Sequence, residues 1–84
     1  MLIAGKLFKH LVFRKDGKPD AFFVYYDDEI GSEYRLKAEE VFLCMSCREV
    51  QGVIISKVLT STGVIGDLYY ATSFDSKFVL TEQE

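Results

Sequence analysis

Two cysteines separated by two residues are the most conspicuous chemical feature of the sequence. Cys44 and Cys47 lie in the segment VFLCMSCREV, residues 41–50. Such a pair can bind zinc, exchange thiol for disulfide, or pack as two small apolar side chains. A structural zinc site needs four ligands, and the chain contains 1 histidine and 2 cysteines. We therefore predict that the pair is structural, with no metal and no cofactor, and keep a redox or metal role as a second alternative.

Catalytic chemistry is poorly supported by the remaining polar residues. His10 lies in a predicted strand, and no motif supplies the nucleophile and orienting group that it would need. The adjacent carboxylates Glu39 and Glu40 lie at the end of a charged segment and are typical of solvated surface. Gly63 and Gly66 lack the lysine and the spacing of a phosphate-binding loop. We predict no catalytic residues and a protein that is not an enzyme.

The elements that position these residues are mostly strands, because apolar and polar residues alternate along much of the chain. Leu7, Leu11 and Phe13 fall on one face of the first predicted strand. Asp16-Gly17 is typical of a short hairpin connection. Further strands are predicted in AFFVYYDD, EVQGVIISKVL, DLYYATSF and KFVLTE, with turns at TSTG and DSK.

One segment has a helical spacing instead. Ala38, Val41, Phe42 and Met45 fall at i, i+3, i+4 and i+7, among residues that favour helices. Cys44 and Cys47 would share a face of that helix, whereas in a regular strand they would point to opposite faces. The predicted fold class is therefore α+β: mainly an antiparallel sheet or small barrel of about five or six strands, with one short helix at about residues 37–48.

Length and charge restrict the remaining function classes. The 84 residues form one predicted domain, 1–84, and the net charge of −3 is unlike that of a general polyanion binder. No apolar run approaches the roughly 20 residues that span a bilayer, and the N-terminus does not resemble a signal peptide. These features predict a cytoplasmic protein that does not bind membranes.

Bulky apolar residues occur on both faces of three predicted strands, more than one short helix could cover. Either the sheet curls into a barrel or two-layer sandwich, or one face meets another molecule. Aromatic residues are enriched at protein interfaces, and neighbouring acidic residues can orient a basic partner. We therefore predict a small non-enzymatic protein-binding or regulatory module that acts by occupying a protein partner, with a homodimer as one form of that partnership. The predicted partner-binding residues are Phe23, Tyr25, Asp27, Asp28, Glu29 and Tyr69.

The alternative is a small-barrel binder of single-stranded nucleic acid. The basic N-terminal strand would provide Phe8 to stack on a base, flanked on the same face by Lys6, His10 and Arg14.

Overall fold

The computed structural model describes residues 2–11, 13–18, 21–25 and 33–81. These residues form one antiparallel sheet and a short 3₁₀ helix, Thr72–Lys77. The strands are β1 (Leu7–His10), β2 (Ala21–Tyr25), β3 (Glu33–Lys37), β4 (Val41–Val50), β5 (Val53–Thr60), β6 (Ile65–Ala71) and β7 (Phe78–Leu80).

The sheet contains seven strands, more than the five or six predicted, in the order β3-β2-β6-β5-β4-β1-β7. Every adjacent pair is antiparallel, which confirms the predicted antiparallel sheet. The three longest strands, β4, β5 and β6, lie next to one another in the middle of this order. They form the platform to which the shorter strands are attached on either side.

The helix predicted at about residues 37–48 is wrong, and with it the helical part of the α+β assignment. Val41–Val50 form β4, which pairs with β1 on one side and with β5 on the other. The pairing register shifts between Cys44 and Ser46, as in a β-bulge at Met45. The extra residue interrupts the two-residue alternation, so the apolar residues of this strand imitate a helical spacing.

The predicted strand EVQGVIISKVL is also divided by a turn. Val50 and Val53 are register partners, and Gln51 and Gly52 between them have φ angles of 51° and 79°. Two central residues with positive φ are the requirement of a type I′ hairpin turn. The favoured sequence for this turn is Asn-Gly, so Gln51-Gly52 was not recognised as a turn in the sequence.

The inner face of the sheet holds the core, whose residues come from strands throughout the order. The buried apolar cluster comprises Leu2, Phe8, Leu36, Phe42, Cys44, Ile54, Val58, Leu68, Tyr70 and Phe78. Leu36 lies on β3 and Phe78 on β7, the two ends of the strand order. Because residues from both ends share one core, the sheet must curl around its own inner face.

A buried histidine holds this curl together. His10 on β1 is fully buried, and its Nε2 donates a hydrogen bond of 2.9 Å to the Leu36 carbonyl on β3. The Glu39 amide donates to the His10 carbonyl at 2.8 Å, so the backbone after β3 is also attached to β1. Within the described ranges, no helix is long and apolar enough to cross a membrane.

The Gln51–Gly52 turn gives a paired test of the hairpin. Gly52→Ala should destabilise the protein by about 1 kcal/mol, because an L-residue pays a cost of that order in left-handed backbone. No atom lies within 4 Å of a Cβ built at Gly52, so steric overlap adds nothing. Gln51→Asn should be neutral or stabilising, because asparagine tolerates the same backbone. Urea unfolding of the two variants measures both effects, and an equal loss in both would contradict the turn assignment.

Candidate functional site

The outer face of the central strands carries a continuous row of apolar side chains. Residues directly opposite each other in antiparallel strands share a face of the sheet. Leu7 is the register partner of Leu43, Leu43 of Leu59, and Leu59 of Ile65, so four strands contribute to one row. We call these four residues the apolar row. Ile65 ends the row on β6 and is 52% exposed.

A polar row runs beside the apolar row on the same outer face. Ser46 pairs with Lys57, and Lys57 pairs with Asp67, on β4, β5 and β6 respectively. Lys57 is exposed and Asp67 is half-buried. Lys57 and Asp67 do not form an ion pair with each other in the described part of the chain, although they are direct register partners. The polar row therefore presents one positive and one negative charge to solvent.

Apolar residues return on the far side of the polar row. Ile55 pairs with Tyr69, and Val53 pairs with Ala71. Tyr69 is 46% exposed and Val53 is 39% exposed. The outer face of β5 and β6 is thus apolar at both ends and charged in the middle. We call the apolar row, the polar row and these four residues together the outer face.

The predicted partner-binding residues are only partly within the described structure. Tyr69 lies on the outer face, beside Ile55. Phe23 and Tyr25 belong to β2, and the backbone of Tyr25 is in register with Asp67 at the margin of the outer face. Asp27, Asp28 and Glu29 lie outside the described residues. The partner-binding role of all six residues stays a prediction.

The structure separates the four residues of the nucleic-acid alternative. Phe8 is 5% exposed and packs against Phe42, with their ring centroids 6.3 Å apart. His10 is fully buried. Lys6 and Arg14 are exposed, and Arg14 forms an ion pair with Asp16 at 3.1 Å. Phe8 is thus a core residue in this structure and offers no surface on which a base could stack.

The bulge in β4 brings the two cysteines to the same face. Cys44 pairs with Val58 and Cys47 with Ser56, and both partners are buried inner residues of β5. In a regular strand, residues three apart point to opposite faces, but the extra residue at the bulge brings Cys47 back to the face of Cys44. Both cysteines are free thiols. Cys44 is fully buried, and Cys47 packs against the margin of the core.

Hydrogen bonds around the bulge account for the buried polar atoms of this region. Ser56 Oγ donates to the Ser46 carbonyl at 2.9 Å and lies 3.3 Å from Cys44 Sγ. The Ser56 hydroxyl and, at 3.5 Å, the Cys44 thiol therefore both donate to the Ser46 carbonyl next to the bulge. Within the described ranges, no group of three or more histidine, cysteine or acidic residues is arranged to hold a metal ion.

Burial raises the pKa of the Cys47 thiol, and the neighbouring Cys44 raises it further. Tyr70 lies on the inner face of β6 as the register partner of Ile54, and its hydroxyl donates a hydrogen bond of 2.9 Å to Asp75 Oδ1. Burial, followed by this hydrogen bond, raises the pKa of Tyr70 strongly. Both groups are therefore held in their protonated forms. A thiol with a raised pKa is a poor nucleophile at neutral pH, which is the opposite of a catalytic cysteine.

The apolar row is the feature that the sequence analysis missed. Leu43, Leu59 and Ile65 are unremarkable in isolation, because each occurs in an apolar stretch with many neighbours. They become a surface only when the register of four strands is known. The one available indication was the excess of apolar residues on both faces of the predicted strands.

Comparisons of the chain with protein-family models, with curated proteins and with solved structures find no match.

The raised pKa of Cys47 predicts slow alkylation. At about pH 8, Cys47 should react with iodoacetamide more slowly than the same cysteine in urea-unfolded protein, because less of the folded thiol is ionised. Its rate should continue to rise beyond the usual cysteine pKa of about 8.5. Peptide mass spectrometry after timed labelling measures the rate for each cysteine. A rate at Cys47 that is faster in the folded protein would contradict this environment.

Tyr70 predicts a loss of stability in alkali. Its pKa in the folded state lies above the unfolded value of about 10, so folding favours the protonated hydroxyl. This contribution is fully present below about pH 10 and is lost as the pH rises above that value. Tyr70→Phe should cost about 1 kcal/mol near neutral pH, through the lost hydrogen bond to Asp75.

The same variant should lose less stability than the wild type between about pH 9 and pH 11, because phenylalanine does not titrate. Urea unfolding across this range compares the two proteins, and the other titrating groups cancel between them. If the free energy of unfolding falls equally with pH in both proteins, the pKa of Tyr70 is not raised by folding, and this prediction is wrong.

Proposed function

We propose that this protein is a small non-enzymatic binding module that acts by occupying a protein partner through the outer face. The observation that carries the proposal is the apolar row, which extends across four strands and ends in the exposed Ile65. The other three members of the row are half-buried, so part of each still contacts solvent. Contiguous apolar surface that contacts solvent marks sites of interaction. Tyr69, on the same face, is of a residue type that interfaces concentrate.

The layout of the outer face favours a macromolecular partner over a small ligand. Small-molecule sites are concave, and the polar groups that orient a ligand converge in them. Here the apolar residues lie on the outward side of a curled sheet, and Lys57 and Asp67 project from its middle. Such a surface has an apolar area to desolvate and a pair of charges to fix the register of a partner.

The nucleic-acid alternative has less support from the same geometry. A base-stacking platform requires exposed aromatic rings beside basic residues. Phe8 and His10 are buried, and Asp67 places a negative charge on the outer face. The second alternative, a redox or metal role for the cysteines, is weakened by the raised pKa of Cys47.

A comparison of two isoleucines tests the proposed face. Ile65 on the outer face is 52% exposed, and Ile3, before β1, is 55% exposed. Ile65→Lys should weaken binding to a captured protein about 30-fold, the equivalent of roughly 2 kcal/mol for an interface anchor. Ile3→Lys introduces the same charge at matched exposure and should leave binding unchanged. Both variants should keep the wild-type circular dichroism spectrum.

The measurement uses wild type, Ile65→Lys and Ile3→Lys as immobilised baits, with proteins retained from cell extract quantified by mass spectrometry. A retained protein is then purified, and its affinity for each bait is measured by calorimetry. Retention that depends on Ile65 but not on Ile3 supports the proposal. Equal retention by all three baits, or loss through Ile3→Lys alone, contradicts the outer face as the binding surface.

A further inference from the structure

We propose that the outer face binds a second copy of this chain, around a two-fold axis that runs parallel to the strands between β5 and β6. The inference rests on the proposed function in that it uses the same face, and it names the partner. It is carried by the charges of the polar row. Two orientations of the two-fold axis are possible; one brings opposite charges together across the interface, and the other brings like charges together.

The two charges are placed side by side on neighbouring strands. Lys57 on β5 and Asp67 on β6 are register partners at the same height along the sheet. Apolar pairs lie above and below them: Leu59 with Ile65 on one side, and Ile55 with Tyr69 on the other. A partner that covers these apolar pairs must also cover Lys57 and Asp67. Burying either charge without an opposite charge is costly, and a partner that presents both signs gives each charge an opposite charge across the interface.

Two copies of a sheet can stack face to face around an axis that runs either across the strands or along them. An axis across the strands, through the polar row, places Lys57 opposite the partner's Lys57 and Asp67 opposite the partner's Asp67. Both contacts are repulsive. An axis along the strands, between β5 and β6, exchanges the two strands instead. Lys57 then faces the partner's Asp67, and Asp67 faces the partner's Lys57.

The same axis along the strands also matches the apolar residues. Exchange of β5 and β6 places Leu59 opposite the partner's Ile65 and Ile55 opposite the partner's Tyr69. Stacked sheets lie about 10 Å apart, a separation that apolar side chains from both faces fill and across which a lysine reaches a carboxylate. A slip along the strands would place the charges on apolar residues, so the polar row fixes the register of the dimer.

A dimer of ordinary size would cover a modest share of the surface of each chain. A standard interface buries about 800 Å² on each partner. The chain exposes 5623 Å², so roughly one-seventh of its surface would be covered. The strands around the proposed axis are β5 and β6, with β4 and β2 on either side of them.

Charge reversal and mixing test the arrangement. Purified wild type should sediment as a dimer at about 100 μM, a concentration that detects even weak association. Lys57→Glu gives two repulsive contacts in a homodimer, and so does Asp67→Lys. Each single variant should therefore dimerise at least tenfold more weakly than the wild type. An equimolar mixture of the two should recover association, because each contact between chains is then attractive.

Recovery of the dimer in the mixture can arise only from contacts between the two different variant chains. Within each variant chain, positions 57 and 67 still carry like charges on neighbouring strands, and mixing does not change that. A restored dimer must therefore arise from pairing between the chains. The double variant Lys57→Asp with Asp67→Lys provides a second readout: it should dimerise with itself as the wild type does, but not with wild-type chains. Ile3→Lys changes a residue that belongs to neither the apolar row nor the polar row, and this variant should dimerise normally.

The outcomes separate this inference from the proposed function. A wild-type protein that is monomeric at about 100 μM overturns the homodimer. The proposed function still stands if Ile65-dependent capture of another protein persists. A dimer that neither charge variant weakens, or whose weakening is not reversed by mixing, uses another surface or axis and also overturns the inference. Loss of both the dimer and Ile65-dependent capture rejects the inference and the proposed function together.

Discussion

The hydrogen bond from His10 Nε2 to the Leu36 carbonyl joins two strands that are not neighbours in the sheet, β1 and β3. It requires the sheet to bend until strands near opposite ends of the order face each other across the core. No helix layer covers the inner face in the described part of the chain, so the sheet supplies both walls of its own interior. The inward positions are consequently filled by large side chains, including Phe8, Phe42 and Phe78.

Among the residues that the structure describes, no second layer covers the outer face either. In a sheet with one buried face, the outward positions are normally polar. Here β5 and β6 keep apolar residues at the outward positions on both sides of the polar row, and Arg48 on β4 adds a charge beside Ile55. Exposed apolar residues promote association between molecules, whereas Lys57 and Asp67 limit the ways in which another surface can cover them. The proposed function and the proposed dimer both follow from this division of one sheet into two apolar surfaces.

The strands and several turns could be predicted from the sequence because their patterns are local. The turn at Asp16-Gly17 is present, with the Arg14 amide donating to the Lys18 carbonyl, and the predicted TSTG turn closes with Gly63 donating to Thr60. The bulge in β4 could not be predicted, since it depends on pairing with β5 and leaves a helix-like spacing behind. Likewise, Phe8 and His10 are core residues rather than the predicted nucleic-acid-binding residues, because the alternation along β1 does not indicate which of its faces turns inward. The outward position of Tyr69 follows from the alternation of residues within one strand, whereas the apolar row can be seen only when the register of four strands is known.

The tight turn at Gln51 and Gly52 has a consequence for the order in which the chain folds. It closes the β4–β5 hairpin with two residues, so the longest pairing in the sheet costs the least loop entropy. The β5–β6 pairing is the next most local, whereas Phe8 and Leu80 pair from near opposite ends of the chain. We expect the central three strands to assemble first in the folding transition state, with β1 and β7 added afterwards. During that interval the core residues on β4, β5 and β6 are exposed together with the outer face, and the nascent sheet is most prone to aggregate with other copies of itself.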